Sequence, residues 1–171
     1  DIAFVSVNAE ISKALAPVAA AAGTVVIDDS AAFRMDTKVP LVVPEINPSD
    51  LIQHQGIIAI PNCSTTQMVM ALYPLHRQNP IKRIIVDTYQ SVSGAGGMAI
   101  EELRNQSRNI LENQKANVGT DSQQVAFNAL PQIGDFLSNG YTTEEWKLVE
   151  ETHKILHSPE IAISATCIRV P

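Results

Sequence analysis

Cys63 lies in the stretch Pro61-Asn62-Cys63-Ser64-Thr65-Thr66-Gln67, between one apolar run and the next. The run before it, "GIIAIP" (56–61), reads as a strand. The run after it, "STTQMVMALYPLH", has helical spacing, with Met68, Leu72 and Leu75 toward one side. Cys63 therefore falls at a strand-to-helix junction. There the free N–H groups and the helix dipole favour an anion, so a thiolate is stabilised and can attack a carbonyl. The small polar neighbours Asn62, Ser64, Thr65 and Thr66 suit an open helix mouth. The competing reading is a buried structural thiol, because free cysteine is among the most buried residue types.

Other residues carry weaker signals. Gln90 ends a strand before the turn "SGAGG" (93–97) and could orient a substrate without titrating. It could equally be a strand-end amide bonded to backbone. The turn would admit close approach of a ligand to the chain, but it is not the G-x-G-x-x-G fingerprint. Arg34, in "SAAFR", could bind an anion or be an exposed arginine. Glu144 and Lys147, three apart on one helix, read first as a surface pair. Arg169 sits in an apolar strand and needs a partner. His54, His76, His153 and His157 fall in polar loops or on helix surfaces, without a second ligand at a metal spacing.

These residues need elements to hold them. "IAFVSV" (2–7) reads as a buried strand, and 9–22 as an Ala-rich helix strained by Pro17 and stopped by Gly23. "TVVIDDS" (24–30) reads as a second strand. A β-α-β opening implies a parallel sheet flanked by helices. The three prolines of 33–51 predict a long surface connection. Pro74 is expected to kink or end the helix that follows Cys63. Further on come a strand over 81–93 and an amphipathic helix over 98–115 bearing Ile100, Leu103, Ile110 and Leu111. A loop over 118–124, a helix over 142–157 with Thr142 or Thr143 as N-cap, and a strand over 160–170 complete the reading.

The 171 residues suffice for one domain or two small ones, and 45% hydrophobic with 18% charged residues fits a globular protein. The net charge of -6, with no basic block, argues against nucleic acid as the main partner. Two cysteines make no disulfide framework and no metal-binding spacing, so a reducing cytoplasm is the expected compartment. No apolar run is long enough to span a membrane.

Six segments occur together and in order: "VIDDSAAFRMDTKVPLVVPEIN" (26–47), "PNCSTTQ" (61–67), "TYQSVSGAGG" (88–97), "AFN" with "LPQIG" (126–134), "TTEEWKLVEETHKI" (142–155) and "ATCIRVP" (165–171). In combination they resemble the aspartate-semialdehyde dehydrogenase family over essentially the whole chain. The resemblance implies an α/β fold. Residues 1–62 would be the later part of a Rossmann-type NADP-binding domain, and 63–171 the first part of a catalytic and dimerisation domain. It implies NADP-dependent reduction of L-aspartyl 4-phosphate to L-aspartate 4-semialdehyde, with release of phosphate, in lysine, threonine and methionine biosynthesis.

On this resemblance Cys63 is the acyl-thioester nucleophile and Gln90 a positioning glutamine. Arg34, Asn62 and Lys147 contact phosphate. Glu144 and Arg169 hold the substrate's amino group and α-carboxylate. Ser93 and Gly94 contact the cofactor. A homodimer or dimer of dimers is expected, with the 98–115 helix and its sheet at the interface. The family's glycine-rich cofactor turn would lie before Asp1 and its general-base histidine after Pro171. The chain alone is therefore expected to be incomplete for activity. Family members carry an "SAGG"-like turn where this chain reads "SVNAE". Two alternatives remain at this stage: N-acetyl-glutamyl-phosphate reductase, which shares the chemistry, and a non-catalytic oligomerising fragment.

Overall fold

A computed structural model describes residues 1–116, 118 and 123–171. The loop expected over 118–124 lies mostly outside the described residues. The chain forms two compact units, Asp1–Ile84 with Lys147–Ile163, and Ile85–Trp146 with Ser164–Pro171.

The first unit opens with β1 (Ile2–Val5), α1 (Ala9–Ala21) and β2 (Val25–Asp28), followed by β3 (Ile57–Ala59) and α2 (Cys63–Gln78). The sheet order is β1-β2-β3 and both pairings are parallel, with Ile2 opposite Val25 and Val26 opposite Ile57. The expected parallel α/β layer is therefore present. Asn8, within the unusual "SVNAE", is the N-cap of α1, and its Oδ1 accepts the N–H of Ile11 at 2.9 Å. The Ser6 hydroxyl donates to Asp29 at 2.8 Å, tying the same turn to the end of β2. Gly23, at φ +86°, lies in the left-handed region that ends the helix.

Three expectations in this unit need correction. The 33–51 connection is not a surface loop, because Val39, Leu41, Val42, Val43 and Ile46 are buried. Leu41 makes a parallel bridge to Ala59, and the buried Asn47 side chain donates to the Leu41 carbonyl and accepts the Val43 N–H. That amide satisfies the backbone polar groups which a buried loop would otherwise leave unpaired. The proline-rich stretch then enters a 3-10 turn, Pro48–Gln53.

Secondly, of the two outcomes expected at Pro74, ending the helix does not occur, because α2 runs on to Gln78. Pro74 is exposed, so water can take up the backbone carbonyl that its missing N–H leaves open. Thirdly, the buried stripe of α2 is Thr65 and Val69, whereas Leu75 is 63% exposed.

The second unit holds most of β4 (Arg83–Ser91), a 3-10 turn at Val92–Ala95, α3 (Gly97–Leu111), the first turn of α4 (Thr143–Leu156) and most of β5 (Ala162–Val170). Strands β4 and β5 form a two-stranded sheet. Helix α3 stops at Leu111, short of the expected 115, with Glu112 as C-cap. Gln106 of α3 is fully buried. Its Oε1 accepts the N–H groups of Val125 and Ala126, and its Nε2 donates to Glu102. This side chain pins Val125 and Ala126 to the helix.

Thr142 is the N-cap of α4. Its N–H donates to Glu145 Oε2 at 2.7 Å, and its Oγ1 accepts the Glu145 N–H at 3.3 Å, a reciprocal capping box. Further along α4, Leu148 and Ile155 are essentially fully buried in the first unit, worth about 1.5–3 kcal/mol each.

Candidate active site

Strand β3 delivers the chain to Asn62, which is buried and caps α2. Its Oδ1 accepts the N–H of Ser64 at 2.9 Å, and its carbonyl accepts both the N–H and the hydroxyl of Thr66. Cys63 is the first residue of the helix and is exposed, with Sγ 4.0 Å from Asn62 Oδ1. The buried-thiol alternative therefore fails for Cys63. The buried cysteine is Cys167, fully enclosed in β5. Burial pushes the Cys167 thiol up from its ordinary range. Glu144 and Glu145 add to the rise, and the Thr88 hydroxyl and Arg169 oppose it.

Behind this junction in the chain's bonding stands Glu151 of α4, only 1% exposed. Its Oε2 accepts the N–H of Asn62 at 2.7 Å, and its Oε1 accepts Arg34 Nη1 at 3.1 Å. Arg34 is itself buried. Its Nε donates to the Ile60 carbonyl at 2.9 Å and its Nη2 to the Asp29 carbonyl at 2.8 Å. Arg34 is thus not the exposed arginine of the bland reading. N–H donors remain on both terminal nitrogens after these bonds are counted. Burial raises the Glu151 carboxyl above its ordinary range, while the Arg34 charge and the Asn62 N–H pull it back. Lys147, half-buried, lies one helical turn before Glu151 on α4.

The remaining expected residues belong to the second unit. Gln90, half-buried in β4, donates from Nε2 to the Thr88 hydroxyl at 3.1 Å. Arg169, paired through its backbone with Leu130, donates from Nη1 to the Ser91 carbonyl at 2.7 Å. Ser93 and Gly94 lie in the exposed 3-10 turn, where the Ser93 and Ser91 hydroxyls are 2.7 Å apart. A Cβ on Gly94 would meet only Arg169 Nη1, at 3.6 Å, and one on Gly96 or Gly97 would meet nothing. The turn is therefore open to close approach by a ligand. Glu144 is buried rather than on the surface. Strand β5 and the turn after β4 thus bring Arg169, Ser91 and Gly94 together, and Asn62, Cys63, Arg34 and Glu151 form a second cluster in the first unit.

Glu151 was not legible as a site residue. The available signal was an acid interrupting the apolar stripe Leu148–Ile155 of α4. The histidines have local partners: His54 Nδ1 accepts from Gly56, His76 Nδ1 accepts from Ile81, His153 Nε2 meets the Ile161 carbonyl, and His157 is 3.0 Å from Asp50. A cleft of about 880 Å³ in the first unit is lined by Lys38, Asp50, Glu150, His153 and Lys154 among others. Lys154 there donates to the carbonyls of Arg34, Asp36 and Val39. None of the expected site residues lines this cleft. No helix among the described residues is long and apolar enough to cross a membrane.

Residues 1–54 match the family model for the NAD binding domain of semialdehyde dehydrogenase, and residues 72–171 match the model for its dimerisation domain. The chain is 49% identical to aspartate-semialdehyde dehydrogenase of Bacillus subtilis (strain 168), covering 100% of this chain and 51% of that protein. It is 52% identical to the enzyme of the same name from Aquifex aeolicus (strain VF5), with the same coverage. Among solved structures, aspartate semialdehyde dehydrogenase II from Vibrio cholerae superposes with a TM-score of 0.96 at 51% identity, over 99% of this chain and 51% of that one. The Candida albicans enzyme with NADP gives 0.71 at 26% identity, over 100% and 47%. The chain spans about half the length of the curated relatives it matches.

Proposed function

The chain belongs to the semialdehyde dehydrogenase family, and from that premise we propose that the protein reduces L-aspartyl 4-phosphate to L-aspartate 4-semialdehyde through a thioester on Cys63, serving lysine, threonine and methionine biosynthesis. The observation that carries this reading is an exposed Cys63 at the first position of α2, beside the capping Asn62. The Cys63 sulfur attacks the acyl carbon. The S–C bond forms, the C–O bond to the phosphoryl group breaks, and phosphate leaves with the electron pair of that bond.

Each expected residue has a part suited to its chemistry. Arg34 and Lys147 supply positive charge for the phosphate, with Asn62 beside the nucleophile. Arg169 can grip the α-carboxylate with two parallel hydrogen bonds. Glu144 suits the ammonium group, and Gln90 the carbonyl being attacked. Ser93 and Gly94 would hold the nicotinamide end of the cofactor, which in its reduced form, NADPH, would supply the hydride. The open backbone at Gly94 supports that assignment, and the NADP in the Candida albicans relative supports the choice of cofactor.

The functional division at residue 62 is supported by the two family matches, one ending at 54 and the other beginning at 72. A homodimer formed through the second unit is supported by the dimerisation-domain match and by Met98, Leu111, Ile85 and Tyr89, all largely exposed in α3 and β4.

The test is an assay of the full-length protein in the phosphorylating direction, with phosphate and NADP, read by formation of reduced nicotinamide. Aspartate semialdehyde should be turned over, and N-acetyl-glutamate semialdehyde should not. Turnover of the second compound alone would replace this reading with the acetyl-glutamyl one.

A further inference from the structure

Glu151 occupies a position that the proposed chemistry does not require it to fill. It is buried to 1% exposure, and both its oxygens face N–H donors. One donor is the peptide N–H of Asn62, the residue that caps α2 immediately before Cys63. The other is Nη1 of Arg34. A carboxylate presents acceptors on both oxygens. A glutamine presents one acceptor and one NH2 group, which would have to face either the Asn62 N–H or the Arg34 guanidinium. Neither donor can be satisfied by an NH2, and a buried donor without an acceptor is costly. The distance in sequence is large: Glu151 lies 89 residues from Asn62 and 117 from Arg34. Local folding of the β3–α2 junction therefore does not create this link; only the packing of α4 does.

We infer that Glu151 is a positioning residue, a single carboxylate that fixes the cap of α2 beside Cys63 with one oxygen and the guanidinium of Arg34 with the other. The inference rests on the proposed role of Cys63 and deepens it. Glu151 bonds to the Asn62 N–H and Arg34 Nη1, so it acts through the cap and the guanidinium. It sets where the helix N-terminus points and which N–H donors of Arg34 stay available for an anion. Three bonds hold Arg34: to Glu151, the Ile60 carbonyl and the Asp29 carbonyl. Of these three, Glu151 supplies the only charged acceptor.

The experiment uses the full-length protein. In Glu151→Gln, iodoacetamide should label Cys63 about fivefold more slowly, the effect of losing one N-cap restraint. Cys167 should stay protected, showing that the fold is intact. Turnover should fall on the order of 100-fold through misplacement, with a raised KM for phosphate and an unchanged KM for NADP. General destabilisation would instead expose Cys167 and leave both Michaelis constants alone. Glu151→Asp keeps two acceptors on a stem shorter by about 1.5 Å, so its values should fall between wild type and Gln.

A folded Glu151→Gln protein with wild-type Cys63 labelling and wild-type phosphate KM overturns the inference. Should the Gln variant fail to fold, the Asp variant decides, and wild-type values there overturn it. Labelling needs no turnover. If Cys63→Ser proves active while Glu151→Gln still slows labelling, the acyl-acceptor reading falls and the positioning of the thiol by Glu151 stands.

Discussion

Arg169 Nη1 donates to the carbonyl of Ser91 at 2.7 Å, so the guanidinium of β5 is held against the turn that follows β4. The same nitrogen stands 3.6 Å from where a Gly94 Cβ would be. An arginine fixed in this way is preorganised, and its remaining N–H groups keep the fork that matches a carboxylate.

This arrangement predicts that Arg169→Lys will be nearly as damaging as Arg169→Ala. Lysine keeps the charge but loses the planar fork. Both variants should lower kcat/KM in the full-length enzyme by roughly 100-fold, because the reacting carbonyl is misplaced as well as more weakly held. Wild-type kinetics for Arg169→Lys would make Arg169 a structural tie to Ser91 only.

The two cysteines should separate cleanly in alkylation. Cys63 is exposed and Cys167 is fully buried with its thiol pushed up by burial. Iodoacetamide near neutral pH should label Cys63 in the native protein and Cys167 only after denaturation, read by peptide mass. Saturating substrate should protect Cys63, and Cys63→Ser should reduce turnover by orders of magnitude at an unchanged melting temperature. An active Cys63→Ser enzyme would remove the thioester from the mechanism.

Where pattern and local chemistry agree, the sequence was readable. Thr142 or Thr143 before the helical pattern marked the start of α4, and the structure selects Thr142, which exchanges reciprocal bonds with Glu145. The β-α-β opening and the junction at Cys63 were likewise local signals. The buried stretch around Leu41 was not readable. Its three prolines erase any periodicity, and its burial depends on a bridge to Ala59 and on the Asn47 amide. Glu151 was hidden for a similar reason. The Leu148–Ile155 spacing puts Glu151 on the inward face, but its partners lie far away in sequence and no local signal tells what it meets there.

The start of α4 should be sensitive to small changes. Thr142→Ala removes the side-chain half of the capping box and should cost about 1 kcal/mol in urea unfolding of the full-length protein. Gly134→Ala should cost more. Gly134 sits at φ +79°, and an added Cβ would collide with the Thr143 hydroxyl. Equal stability of Gly134→Ala and wild type would show that this turn relaxes freely.

The apolar surface of α3 should matter for assembly rather than for folding of the unit. Met98 is 89% and Leu111 74% exposed. Met98→Glu with Leu111→Glu should shift the full-length protein toward monomer in sedimentation, with little change in its far-ultraviolet circular dichroism. An unchanged dimer would place the interface elsewhere.

The pH dependence of stability tests the burial of Glu151 independently of catalysis. Burial is the largest influence on this carboxyl and raises it above its unfolded value, against the opposing pull of Arg34. Between the unfolded value and the raised folded value, the native state therefore holds more protons than the unfolded state. Stability must fall as pH rises through that interval. The contribution is fully present below the unfolded value and lost above the folded one. Glu151→Gln has no proton to release, so it should lack this slope, whatever its absolute stability. The measurement is urea unfolding of both full-length proteins across the acidic range, taken as the difference between them. Relative to the variant, the wild type should lose stability as pH rises. A flat difference would mean that Arg34 and the Asn62 N–H cancel desolvation, and one that runs the other way that they outweigh it and stabilise the carboxylate in place.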